Sequence, residues 1–272
     1  MDINLKGKNA FVGGSSKGIG KAIATLLFEE GYKVYGTSRN PKNSVHFSFE
    51  LIAMDVLKVD TIASAISYII KKEGRLDVLV NNAGMGITGP IEETPTDKMR
   101  AVFNTNLFGA IEVMKGVLPQ MRKQNSGTII NITSIAGYMG LPYRGIYSAT
   151  KGALEIITEA TSMEVKNFGI NVVNVAPGDF ATNIAAGRYH APVTEKSAYK
   201  TNYQANLDLM NAHVDDGMNP LEMAKAVSKI IRTNKPKIHY KVGGFMEKFS
   251  ILLKRFLPDR WYEKILMKHF KL

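Results

Sequence analysis

Along most of this chain, short apolar runs alternate with longer stretches whose apolar positions recur at helical period. Strand-like runs stand at Asn9 to Gly13, Lys33 to Thr37, Leu51 to Met54, Val78 to Val80, Thr128 to Ile132, Asn171 to Val175 and Lys237 to Val242. Between them the pattern predicts helices over Ile19 to Glu30, Asp60 to Lys72, Asp97 to Arg122, Tyr147 to Asn167 and Leu221 to Arg232. Strands this short and this apolar suit a parallel sheet with helices on both faces. The predicted class is therefore α/β: a doubly wound, Rossmann-like parallel sheet with right-handed crossovers, in a single domain.

Two stretches depart from that rhythm. Asn183 to Asn219 is long, polar and tyrosine-bearing and follows a late strand; a lid over a pocket and a surface loop both fit, and both stay open. After the last strand, Phe245, Phe249, Leu252 and Phe256 recur at helical spacing, with Lys248, Lys254 and Arg255 off that stripe. Pro258 interrupts it, and a second segment carries Trp261, Tyr262, Ile265, Leu266 and Phe270 among Lys264, Lys268 and Lys271. Core packing is the commonest fate of such a stripe. It can also wall an apolar pocket, meet another subunit or, being basic and aromatic, lie in a membrane interface. The expected division is a catalytic domain over 1–244, with a substrate lid over 183–219, and an amphipathic helical tail over 245–272.

Composition narrows the classes. The 272 residues are 45% hydrophobic, enough for a sizeable core. Cysteine is absent, which removes disulfides, thiolate nucleophiles and Cys-ligated metal, and no metal site is expected. Met1 to Lys8 lacks the apolar core of a signal peptide, and no run approaches the roughly 18 apolar residues of a spanning helix. The expected location is the cytoplasm, with membrane association open through the tail. A net charge of +11 asks for an anionic partner: a phosphorylated cofactor, an acidic lipid surface or a nucleic acid. Nucleic acid is not expected, because no motif that reads DNA or RNA is visible and the lysines are not interleaved with aromatics.

The first strand runs into Gly14-Ser15-Ser16-Lys17-Gly18-Ile19-Gly20 and then a helix. Glycines there let backbone approach a pyrophosphate, and the helix N-terminus supplies oriented N–H groups. The wide glycine spacing, Asn81-Asn82-Ala83-Gly84 after the fourth strand, and Tyr147-Ser148-Ala149-Thr150-Lys151 after Ser134 together resemble the short-chain dehydrogenase/reductases. The likeness spans roughly residues 8 to 182, with one departure: the usual threonine before the first glycine is Gly13, which should remove a local hydrogen bond. The resemblance implies a nicotinamide cofactor. It places Gly14, Ser16, Lys17, Gly18, Ile19, Gly20 and Asn82 along it, with Asp55 and Val56 at the adenine. Pro177, Gly178 and Thr182 would stand beside the nicotinamide.

The second strand ends in Thr37-Ser38-Arg39, without the acid that would meet a ribose diol and repel a 2′-phosphate. Arg39 and Lys17 can instead converge on that phosphate, so the cofactor expected is NADP(H).

Tyr147 and Lys151, four apart, share one helix face. Ketone reduction needs hydride at carbon and a proton at oxygen, and an ammonium beside a phenol favours the phenolate form. By the resemblance Lys151 also holds the nicotinamide ribose, and Ser134 hydrogen-bonds the substrate oxygen. Asn106 would hold a relay water; it is preferred over Asn104, as Ser134 is over Thr133. The tail and Pro236 to Gly243 are similar to the steroid- and retinol-dehydrogenase-like branch, which implies a lipophilic substrate: a steroid, a retinoid or a keto-lipid. The alternatives are a 3-ketoacyl thioester or small ketone, or a protein that binds dinucleotide or lipid without turnover. A homodimer or homotetramer is expected by the same resemblance, paired through the helices of Asn106 and Tyr147.

Overall fold

In the central strands of the sheet, alternate side chains enter opposite cores, and this alternation fixes the architecture. The computed structural model describes residues 7–41, 47–181, 187–215 and 217–272, with backbone alone over 212–215. Its elements are β1 (Asn9–Val12), α1 (Gly18–Glu29), β2 (Lys33–Ser38), β3 (Glu50–Ala53), α2 (Val59–Glu73), β4 (Val78–Asn81) and β5 (Ile87–Thr88). There follow α3 (Thr96–Phe103), α4 (Gly109–Gln124), β6 (Gly127–Ile132), α5 (Gly145–Glu164), β7 (Ile170–Pro177) and β8 (Tyr189–His190). Then come α6 (Lys200–Asp215), α7 (Pro220–Ile231), β9 (His239–Val242), α8 (Phe245–Phe256) and α9 (Asp259–His269).

Seven strands form one parallel sheet in the order β3-β2-β1-β4-β6-β7-β9. Ala10, Val12, Val78, Val80, Ile130, Ile132, Val173 and Val175 pack one face against Ile23 and Leu27 of α1 and Met223 and Val227 of α7. Their neighbours Phe11, Leu79, Ile129 and Val172 pack the other face against α2 and α4. Burial on both sides explains why these strands are apolar runs with no polar face. Strand order reverses between β1 and β4, and the crevice at the carboxyl ends of those strands is where doubly wound sheets bind ligands.

Three stretches differ from the sequence expectation. The helix expected over Asp97 to Arg122 is split by a π-helical turn, Asn104–Phe108, closed by a bond from the Gly109 N–H to the Asn104 carbonyl. The stretch Asn183 to Asn219, lid or loop by sequence, carries β8 and α6 within its described part. β5 pairs with β8, and the Tyr203 hydroxyl of α6, itself buried, donates to the Thr88 carbonyl at 2.9 Å.

The tail departs most. Ile251, Tyr262 and Phe270 are its buried anchors, and Ile251 and Tyr262 pack with Ile135 and Met139. The stripe whose partner stayed open, Phe245, Phe249, Leu252 and Phe256, faces outward. Helical spacing marks an apolar face but not its partner, and here the neighbouring face of α8 is the docked one.

Candidate active site

The loop after β1 is shaped by close approach. Gly14 adopts φ +61° with its Cα region against the Ala83 backbone, and a Cβ on Gly20 would collide with the Asn82 side chain and the Gly14 carbonyl. The Asn82 amide donates to the carbonyls of Gly13 and Gly14 at 3.1 and 3.2 Å. Gly13 has no side chain to offer, and the loop is braced from β2, where the Gly14 N–H donates to the Thr37 hydroxyl at 3.0 Å. Ser15 and Thr37 bind each other further, the Thr37 N–H donating to Ser15 Oγ at 2.8 Å and the Ser15 N–H to the Thr37 carbonyl at 3.1 Å. Lys17 is the N-cap of α1 and makes no side-chain cap, so the first-turn N–H groups of that helix keep their capacity for an external acceptor. A loop with Gly14, Gly18 and Gly20, leading into a helix start with no side-chain cap, fits a pyrophosphate.

Asp55 accepts the Leu57 N–H at 3.0 Å, which sets the turn after β3, and Val56 packs toward the second core. Lys17 and Arg39 are exposed. Thr182 lies outside the described residues.

The turn after β4 leads to the candidate catalytic residues. An added Cβ on Gly84 would stand 3.3 Å from Asn106 Oδ1 and 3.5 Å from Lys151 Nζ. Asn106 is buried in the π-helical turn; its Oδ1 accepts the Met85 N–H at 2.8 Å, and its amide donates to the Met85 carbonyl at 2.9 Å and to Thr150 Oγ1 at 3.1 Å. The side chain thus ties the β4 turn to α5. A buried ladder also positions α5: the Asn81 amide donates to Asn131 Oδ1 at 2.9 Å and the Asn131 amide to Thr158 Oγ1 at 2.9 Å.

Tyr147 and Ser134 line one cleft together with Ile19, Gly86, Pro177 and Gly178. Lys151 is buried, its ammonium 5.9 Å from the centre of the Tyr147 ring and donating to the Ile132 carbonyl at 2.9 Å. That is one acceptor for three protons among the described residues. Ser134 Oγ accepts the Ala136 N–H at 3.1 Å, which fixes the side chain and leaves its own proton free to donate. Thr133 turns away, donating to Glu155 at 3.2 Å. Burial pushes the Glu155 carboxyl up to about 7, against the opposing hydrogen bonds of Asn174, Thr133 and Tyr138.

Four residues near the cleft escape motif reasoning. Thr37 braces the glycine loop. Glu247 accepts the Gly244 and Asp179 N–H groups, each at 2.6 Å, and so clamps α8 to the segment after Pro177-Gly178. Its signal was present: an acid three residues after a helix-starting glycine. Arg144 and Arg188 also line the cleft; Arg144, three residues before Tyr147, shares its helix face.

The sequence model of the family described as short chain dehydrogenase matches residues 8–192. The chain is 39% identical over 247 residues to a 3-ketodihydrosphingosine reductase of Bacteroides thetaiotaomicron, covering 90% of this chain and 91% of that one. It is 30% identical to human retinol dehydrogenase 8, over 85% of this chain and 80% of that one. A solved short-chain dehydrogenase from Streptomyces avermitilis superposes with a TM-score of 0.80 at 29% identity, covering 97% of each chain.

Proposed function

From the premise that this chain belongs to the short-chain dehydrogenase family, whose members use a nicotinamide dinucleotide, we propose that it is an NADP(H)-dependent reductase of lipophilic ketones. The observation that carries this reading is the shared cleft of Tyr147 and Ser134, with Lys151 one helical turn behind. The relatives support the substrate class, since one is named for reduction of a keto-lipid and another for retinol.

Gly14, Ser16, Gly18, Ile19 and Gly20 would hold the pyrophosphate, with Lys17 and Arg39 at the 2′-phosphate and Asp55 and Val56 at the adenine. Asn82 acts on it through the loop it braces. Pro177, Gly178 and Thr182 would flank the nicotinamide, which when bound supplies hydride to the carbonyl carbon. Ser134 donates its free proton to the substrate oxygen, and Tyr147 transfers the phenolic proton to the same atom. The Lys151 ammonium favours the charge left on Tyr147. Because scaffold bonds occupy the Asn106 amide, the relay water falls to the Asn106 main-chain carbonyl.

Two surfaces extend the proposal. Phe108, Ile156 and Met163 are exposed on the side carrying the Asn106 turn and α5, which suits pairing of two copies through those helices. Ile156→Arg should then give a smaller species in sedimentation. No helix among the described residues is long and apolar enough to cross a membrane. The outward face of α8 and α9 suits peripheral contact of a cytoplasmic protein with a bilayer. An NADPH-oxidation screen across steroid, retinoid, keto-lipid and acyl-thioester carbonyls tests the whole reading. Turnover confined to thioesters or small ketones would replace the substrate class, and no turnover on any carbonyl would overturn the enzyme.

A further inference from the structure

Two guanidinium groups border the cleft that holds Tyr147 and Ser134. Arg144 comes from the N-cap of α5, its guanidinium carbon 5.6 Å from the centre of the Tyr147 ring. Arg188 comes from the residue before β8, and its Cγ lies 3.0 Å from where a Cβ on Gly86 would stand. Gly86 follows the β4 turn, so the two cations reach the cleft on separate elements, both at its reacting end.

Arg188 is held at a disadvantage. Its Nη1 is buried without a hydrogen-bond partner among the described residues. Burial, and then the charge of Arg144, push its pKa down; Tyr147, Asp179 and Tyr203 act the other way and less strongly. Asp179 lines the same cleft and acts on Arg188 electrostatically. A guanidinium nitrogen buried without an acceptor is unfavourable until one arrives, and the partner a guanidinium fits best is a planar or tetrahedral oxyanion.

The phosphates of a dinucleotide belong at the Gly14–Gly20 cradle, so an anion beside Tyr147 must come from the substrate. Apart from Ser134 and Asp179, the rest of the lining is apolar or glycine: Ile19, Gly86, Ile87, Pro177, Gly178 and Phe180. We propose that Arg144 and Arg188 form an anion subsite, and that the substrate is an amphiphilic ketone with an acidic group near its carbonyl. This rests on the carbonyl-reductase reading and sharpens it. Asp179 offsets part of the positive charge of the two arginines, so ammonium-bearing amphiphiles serve as the contrast that tests the subsite.

The test uses the full chain saturated with NADP+ and calorimetric titration of oxododecanoic acids with the carbonyl at carbons four to seven. Their methyl esters and the matching amino ketones are titrated alongside. The acids are expected to bind at least ten-fold more tightly than the esters, and the amino ketones most weakly. Arg188→Met and Arg144→Gln should each reduce the acid-over-ester ratio ten-fold or more. Arg188→Lys should keep part of it, and NADPH affinity should stay within two-fold. If Arg188→Met fails to fold, Arg188→Lys and Arg144→Gln carry the test.

Equal binding of acids and esters by the wild type would overturn the subsite. So would a ratio that survives both substitutions. A ten-fold loss of NADPH affinity in the arginine variants would assign them to the cofactor and overturn it too. Selective, arginine-dependent binding without turnover would leave the subsite standing and sink the reductase reading. Turnover of neutral ketones without acid preference would do the reverse.

Discussion

The Thr133 hydroxyl donates to Glu155 at 3.2 Å, and that bond turns Thr133 away from the cleft that its neighbour Ser134 lines. Two adjacent hydroxyls at the end of β6 are thereby given different tasks. Glu155 sits two helical turns beyond Tyr147 on α5, so the same helix carries the cleft tyrosine and the carboxyl that sorts the hydroxyls.

That carboxyl should make stability depend on pH. Glu155 is raised to about 7 by burial, from an ordinary value of 4.5. Between those values the unfolded chain has released a proton that the folded chain still holds, so stability falls as pH rises through the window and levels off above it. Two and a half pKa units amount to on the order of 3 kcal/mol. Glu155→Gln, which can still accept from Thr133, should flatten the slope between pH 5 and 7 and be the more stable protein at pH 8. Urea unfolding at pH 5 and 8 decides it; identical slopes for both proteins would refute a buried, proton-holding Glu155.

Tyr147→Phe removes one hydroxyl from a well-packed ring. The ring keeps its contacts with Ile87, Val102 and Ala136, so the fold should persist. Loss of a positioned proton donor lowers rates by about 10² to 10⁴ fold. NADPH affinity, measured by fluorescence quenching, should change little. Near wild-type turnover in the variant would remove Tyr147 from the chemistry.

Much of this was legible in the chain because it rests on local rules. Parallel strands buried on both faces must be apolar runs, and Tyr147 and Lys151 four apart must share a helix face. What escaped depends on long-range partners. Nothing in the sequence says that Thr37 bonds Gly14 across 23 residues, or that Arg188 meets Gly86 through the pairing of β5 with β8. The π-helical turn at Asn106 escaped because its apolar spacing reads as one helix. The partner of the α8 stripe was not legible for a related reason: periodicity shows amphipathicity, and docking was decided by Ile251 and Tyr262.

Arg39 tests the cofactor. It is exposed and follows Ser38 at the end of β2, with no acid at that strand end. A charge-assisted bond to a phosphate contributes about 1.5–3 kcal/mol, or roughly ten- to a hundred-fold. Arg39→Asp should reduce kcat/KM for NADPH by that factor and improve NADH, since an acid there suits a free ribose diol. Equal wild-type use of the two cofactors would undo the assignment.

The tail is tested by its exposed face. Phe245 is 75% exposed, Phe256 77% and Trp261 64%, a large apolar surface for a protein in water. None of the described residues lining the cleft comes from α8 or α9. Charge separates the two remaining occupants. Lys254 pairs with Asp259 and Arg260 with Glu263, while Lys248, Arg255, Lys264 and Lys268 have no carboxylate within 4 Å among the described residues. A second tail would bring like charge to that surface, whereas an anionic bilayer complements it at about 1 kcal/mol per nearby cation. The full chain should co-sediment with vesicles containing phosphatidylglycerol, less with pure phosphatidylcholine, and less again in high salt. Phe245→Glu with Phe256→Glu should abolish binding while Ile251 and Tyr262 hold the tail in place. Equal binding to neutral vesicles would refute the charge argument, and a loss of self-association in the double variant would give the face to a second copy of the chain.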